Sequence, residues 1–545
     1  MKDFIAPRQT ALRAPRDVMR LSRMGAMFPT RLSFLRVITR DLAAHGTPPE
    51  TTLWDMCGAG YGRAVFILTF HGHTYSLVAI SKSLEDDQRS DRVIATAWDA
   101  AFVLYDGIPD ATELARIEAQ APQQEAGRFS EKDLVLSRAN KSVRLWAHVV
   151  TALKTGQQPD PDFINKIGYL MRTTAVYGNG KFGIADRTQF ANRPGLSMSF
   201  AAEMLTVWLI RHFTHALVEH VGGAKLDPTL KRHLGIGNAT GLGMAPFLVS
   251  HPVLLNNWMM VRETALARVR AVPHLSPDQQ TQLKSLHAQA ANHLAQWNVP
   301  DPEHQTRIET LRQDWTALDL GDLSAPHVID TLWQAAQAAS SDVQELLFSM
   351  LLEPFDDLID GLTECLTDPF GHAFENTGTT KDIMQTLQQN FAWATQPDYS
   401  APENCAQFWY VSEEKREPRL GQRHEEPGAD RESPLDIARR LQALANDLPK
   451  QSQPLADFLT KHPEHLMAIE RVQIARTHPY SEIQDNLIAD TCRPIDMLRA
   501  KLSLFGATKF DPKSTLWTRI TLAQGAPLAE DLADPDAQNW WCPVL

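Results

Sequence analysis

The 545-residue chain is 43% hydrophobic, 22% charged and 8% aromatic, proportions of a globular protein that exclude disordered, collagen-like and coiled-coil architectures. Its net charge of −12 argues against general affinity for nucleic-acid phosphates, so no nucleic-acid partner is expected. Five widely spaced cysteines without a CxxC pair argue against a disulfide framework or a cysteine-rich zinc site, and for a reducing compartment.

No stretch reaches the ~18 consecutive apolar residues of a transmembrane helix, and the N-terminus lacks the apolar core of a secretory signal. Residues 1–40 nevertheless stand apart. Lys2, Arg8, Arg13, Arg16, Arg20, Arg23, Arg31, Arg36 and Arg40 face only Asp3 and Asp17, a local +7 that leaves −19 for residues 41–545. Such a segment suits a solvated helix face, a basic arm gripping an acidic partner, a membrane surface or the acidic body of a second subunit, or an organelle transit peptide. The expected location is cytoplasmic, with an organelle matrix as the alternative.

Residues 1–109 are expected to hold this arm, a helix over 30–44 and a small antiparallel sheet. The runs AVFILTF and TYSLVAI flank His71-Gly72-His73 and predict a hairpin, with a third strand in RVIATAWDAAFVLYDG. His71 and His73 alternate as metal ligands on one strand face would, but Gly72 between them favours a turn.

From 110 to 397 the apolar spacing predicts a helical core, with helices over 131–155, 162–176, 199–221, 276–297 and 325–366. Residues 398–434, rich in proline and charge, form a loop or linker, and 435–545 a C-terminal helical region and tail. The expected fold is therefore mainly α, a multi-helix bundle core with a small antiparallel β-sheet near the N-terminus (α+β overall).

Two glycine-dense segments interrupt the predicted helices. In Tyr177-Gly-Asn-Gly-Lys-Phe-Gly-Ile-Ala-Asp-Arg187, three glycines free the backbone to approach a ligand. Tyr177, Asn179 and Arg187 are candidates to bind an anion there, and Lys181 and Asp186 to act on it. The order is not that of a P-loop. Gly235-Ile-Gly-Asn-Ala-Thr-Gly-Leu-Gly-Met-Ala-Pro246 falls short of a dinucleotide fingerprint, since Thr240 stands where a glycine is required. Its glycines suit either close packing of elements or a pocket lined by backbone amides, with Asn238 and Thr240 as binding candidates and His251 beyond it as a proton carrier. No nucleotide or flavin motif occurs.

Between these segments, Trp208, His212, His215 and Glu219 share one helix face at 100° per residue. His212, His215 and Glu219 are the candidate ligands of a divalent metal, although the pattern is not HExxH and a fourth ligand is unassigned. In the 398–434 loop, Arg419 is a candidate to reach an anionic substrate. Further on, His478 and Tyr480 could serve either a helix start or acid–base chemistry.

Together these features predict an enzyme acting by acid–base chemistry (elimination, isomerisation or hydrolysis) on a small anionic molecule held between the glycine-rich segments. A homo-oligomer is compatible with the arm. The alternative is a helical scaffold or regulatory protein that binds partners through the basic arm and the charged loop.

Overall fold

Apolar side chains line residues 62–81 and 100–106, and alternate ones cover opposite faces of a sheet. In the computed structural model, which describes residues 12–20, 23–24, 30–85, 98–120, 130–177, 190–238, 252–299, 302–366, 377–406, 434–482, 504–506, 509–510 and 520–541, these form strands β2 (Gly62–Phe70), β3 (His73–Ser81) and β4 (Ala100–Asp106). Ala64, Phe66 and Leu68 join Leu77, Ala79, Phe102 and Leu104 in the main core. Val65, Val78, Ile80, Val103 and Tyr105 face the other way, under the helix Ala111–Gln120. Both faces are therefore buried, which the small N-terminal sheet of the prediction would not require.

The sheet is larger than the sequence suggests, and the expected fold class is corrected accordingly. Among the described residues it is a mixed sheet of nine strands in the order β1-β2-β3-β4-β5-β6-β7-β9-β8. The additional strands are β1 (Glu50–Met56), β5 (Asp133–Lys141), β6 (Tyr169–Tyr177), β7 (Gly235–Asn238), β8 (Lys509–Phe510) and β9 (Ile520–Leu522). The helix predicted over 131–155 is β5 followed by the helix Leu145–Lys154, and that over 162–176 is the short helix Pro161–Ile167 followed by β6. β5 is buried along its whole length, so its residues lack the period-2 alternation that reveals a half-exposed strand. The α+β mix itself is present, because helices dominate residues 252–482.

β1 to β6 form an antiparallel meander, and β6 then pairs in parallel with β7 across a connection that contains the 22-residue helix Ala201–Gly222. This central helix lies against the sheet, with Phe213 in contact with Phe66 and Phe102. No helix among the described residues is long and apolar enough to cross a membrane.

The first part of the second glycine-dense segment is β7, and close packing of strands explains its glycines. A Cβ on Gly235 would strike the Leu522 carbonyl, and one on Gly237 would sit 2.6 Å from the Tyr169 ring. Gly237→Ala is expected to destabilise the fold by roughly 1–3 kcal/mol through this overpacking. Urea denaturation should show a lower midpoint with an unchanged slope.

Four arginines of the basic segment turn inward onto acids far along the same chain. Arg13 makes a two-pronged pair with Glu263 (2.7 and 2.8 Å), and Arg31 does so with Asp360 (2.7 Å twice). Arg36 pairs with Glu353 in full burial, and Arg40 reaches Asp360 at 3.3 Å. Arg16 stays exposed beside Asp17. The acidic surface these four arginines meet is thus the helical layer of this molecule.

Candidate functional site

Strand directions gather several elements at one end of the sheet. β2 ends and β3 begins there, with the tip His71-Gly72 between them and the paired ends Phe70 and His73. β4 ends at Asp106 opposite Tyr75, β5 begins opposite the end of β4, and antiparallel β6 finishes at Tyr177 opposite Leu136. β7 runs parallel to β6, so Asn238 points out of the same end, with β6 continuing four residues past their last pair at Thr173. In sequence, the first glycine-rich segment begins at the last residue of β6 and the second begins as β7, and their remaining residues lie outside the described ones. Ends of adjacent parallel strands are where open α/β sheets place their ligands.

The start of the central helix lies at this end as well. Its last turn sits at the opposite end, where Val221 and Leu217 crowd Gly60 beside β2. The residues just before the helix are fastened to the hairpin end. Gly195 packs against Phe70 and His71, the Tyr75 hydroxyl donates to the Pro194 carbonyl at 2.8 Å, and Arg193 donates to Asp106 at 2.8 Å. His73 meets the other oxygen of Asp106 at 2.6 Å. Burial pushes the Asp106 carboxyl up, but the bonds from His73 and Arg193 outweigh it and hold the group below its ordinary range.

The helix begins without a side-chain cap, behind Phe200, whose φ of +61° places a large side chain in the left-handed region. In its first turn stands Glu203. The residue is 2% exposed, and its Oε1 has no hydrogen-bond partner among the described residues. Burial raises its carboxyl to about 7, only partly opposed by a backbone hydrogen bond. A carboxyl titrating near neutrality can give or take a proton at little cost, and an uncapped helix start offers N–H groups to an anion. Sequence reasoning missed Glu203 because a lone glutamate in a helix's first turn is the ordinary dipole-complementing residue.

The predicted metal set is rearranged. Trp208, His212 and His215 do share one face and line a narrow cleft with Arg211, Lys231 and Glu530, with room for about one water molecule. Glu219, however, is held by Lys225 (2.7 Å), Lys231 (3.5 Å) and the Leu226 amide (3.3 Å). The ligand atoms of His212, His215 and Glu219 do not gather within 4.8 Å of one another. Burial, then the charge of Lys231, lowers His212 to about 4; burial, then Arg211 and Lys231, lowers His215 far below its usual range. Both imidazoles are neutral at pH 7, beside two cations that disfavour a metal ion. Arg211 itself binds the carbonyls of Leu234, Arg232 and Ala526, which ties the central helix to the segment around β9.

Tyr480 and His478 do not form an acid–base pair. The Tyr480 hydroxyl donates to the Arg13 carbonyl at 2.5 Å, and burial raises it to about 12, while His478 meets Thr477 at 2.8 Å. Asn238 is buried at the end of β7. The candidates Asn179, Lys181, Asp186, Arg187, Thr240, His251 and Arg419, and the side chain of Tyr177, lie outside the described residues.

The fold and this sheet end define a mixed α+β protein with a parallel strand pair feeding two glycine-rich segments. No family model matches the chain, and no curated protein or solved structure matches it.

Proposed function

We propose that the chain is an intracellular enzyme that performs acid–base chemistry on a small anionic molecule at the sheet end where β6, β7 and the start of the central helix meet. The observation that carries this reading is Glu203. A fully buried carboxyl without a partner for one oxygen is destabilising, and positions that keep such a group are concentrated where proton transfer needs it. Its place in the first turn of a 22-residue helix without a side-chain cap sets it at the positive end of the helix dipole, which favours an anion. Lys181 and Arg187, from the segment leaving β6, would supply the positive charge, and Asp186 or His251 a second proton carrier. Elimination, isomerisation and hydrolysis all need such a pair.

The scaffold alternative is favoured less, because Arg13, Arg31, Arg36 and Arg40 already have partners within the chain. The test is equilibrium dialysis of the full chain against a pool of small dicarboxylates and phosphate esters, read by mass spectrometry. The wild type should retain at least one anion, and Lys181→Ala with Arg187→Ala should lose it while keeping an unchanged circular-dichroism spectrum. Retention of no anion, or equal retention by the double variant, would count against the enzyme.

A further inference from the structure

We propose that Asp41, His45 and His71 form a binding site for a divalent first-row transition ion, with zinc as the first candidate. Two elements far apart in sequence build it. Asp41 and His45 occupy successive turns at the end of the helix Phe34–His45, and His71 stands at the tip between β2 and β3. Main-chain bonds lock the two together: the His71 amide donates to the His45 carbonyl at 3.0 Å, and Gly46 pairs with Phe70.

The side chains converge on one point. His45 Nδ1 and His71 Nε2 each lie 2.8 Å from the same oxygen of Asp41, and the two rings stack with centroids 4.4 Å apart and planes 20° from parallel. All three ligand atoms fall within 4.8 Å of one another. Zinc with tetrahedral bonds of ~2.0–2.1 Å sets its ligands roughly 3.3 Å apart, so on binding the carboxylate retreats by about half an ångström from each imidazole and the two stacked rings tilt to aim their in-plane lone pairs at the ion. Two imidazoles and one carboxylate suit zinc, cobalt or nickel rather than magnesium or calcium, which prefer all-oxygen shells. The side chains of Asp41 and His71 are about one-third exposed and that of His45 more than half, so an ion bound there would keep an open position toward solvent.

His71 also sits at φ +49°, where a two-residue turn ordinarily carries asparagine or glycine. Its neighbour His73 turns away to Asp106, so the two histidines that flank Gly72 serve different ends. A second cluster among the described residues, His462, Glu464 and His465, is a poorer candidate. It comes from one short turn, and its His465 Nε2 is committed to Asp447 at 2.9 Å.

The test is calorimetric titration of the chelator-treated full chain with Zn²⁺, repeated with Co²⁺ to read ligand geometry from visible absorption. One equivalent should bind. His71→Ala and His45→Ala should each weaken binding by roughly tenfold or more. Asp41→Asn should also weaken it, which keeps the test open if one histidine variant misfolds. His73→Ala and the double variant His462→Ala, His465→Ala should bind as the wild type does. Absence of a one-equivalent site, binding indifferent to His45→Ala and His71→Ala, or loss in the His462/His465 variant instead would overturn the proposal.

Discussion

Arg36→Ala is expected to destabilise the protein by roughly 3–5 kcal/mol, enough to consume much of an ordinary domain's stability. Arg36 projects from the helix Phe34–His45 into the helical layer, where its two terminal nitrogens meet the two oxygens of Glu353, one of them at 2.8 Å. Both side chains are out of water, at 0% and 2% exposure, and the guanidinium also lies over the Trp540 ring at 5.5 Å. Alanine would strand a buried carboxylate in a medium that cannot solvate it. The cost is that of the orphaned charge rather than the worth of the pair, so Arg36→Met combined with Glu353→Leu should recover most of the loss. Urea unfolding of both variants checks this. A single-variant loss below ~1 kcal/mol would mean that this pair does not anchor the basic segment. The neighbouring Arg40–Asp360 pair is more exposed and should cost less.

Glu203→Gln should make the protein more stable above neutrality while abolishing its proposed chemistry. The sign follows from where the carboxyl titrates. Unfolded, it ionises near 4.5, whereas in the fold burial keeps it protonated up to about 7. Below 4.5 the group is neutral in both states and costs nothing. As pH rises from 4.5 to 7 the unfolded chain gains by ionising and the folded one does not, so stability falls, by about 3 kcal/mol at 1.36 kcal/mol per pH unit. Glutamine stays neutral throughout and removes that slope. Stability of the two proteins should coincide at pH 4 and diverge in the variant's favour by pH 8, measured as urea midpoints across the range. A gain in stability with a loss of function is the signature of a residue kept for its chemistry.

Some of this was legible in the sequence, and the reasons are specific. The hairpin around His71-Gly72 shows because its strands carry β-branched and aromatic runs on either side of a turn residue, the helix at 201–222 shows by its length, and that at 277–296 by length and cap. Ser276 with Gln279 even forms the reciprocal cap that such a start predicts. β5 and β6 read as helix because β5 and residues 169–173 of β6 are buried on both faces and each strand abuts a true helix, so a single apolar window spans both. The 100° spacing puts Trp208, His212, His215 and Glu219 on one helix face, and the first three line one cleft. What angle cannot reveal is that Lys231, after the helix ends, returns to hold Glu219. The arginines of the first 40 residues stood out by charge, yet the acids they meet lie about 250–330 residues away, and no local pattern connects them. Glu203 and the Asp41–His45–His71 cluster depend on burial and on convergence in space, which no spacing encodes.

The most direct test of the proposed site is a titration of the Glu203 carboxyl by ¹³C NMR on glutamate-labelled full chain, assigned by the signal that vanishes in Glu203→Gln. The expected midpoint lies near 7 and moves upward when an anion retained in dialysis is added, because a second negative charge nearby disfavours ionisation. A midpoint near 4.5, or one that no retained anion moves, would contradict the proposal.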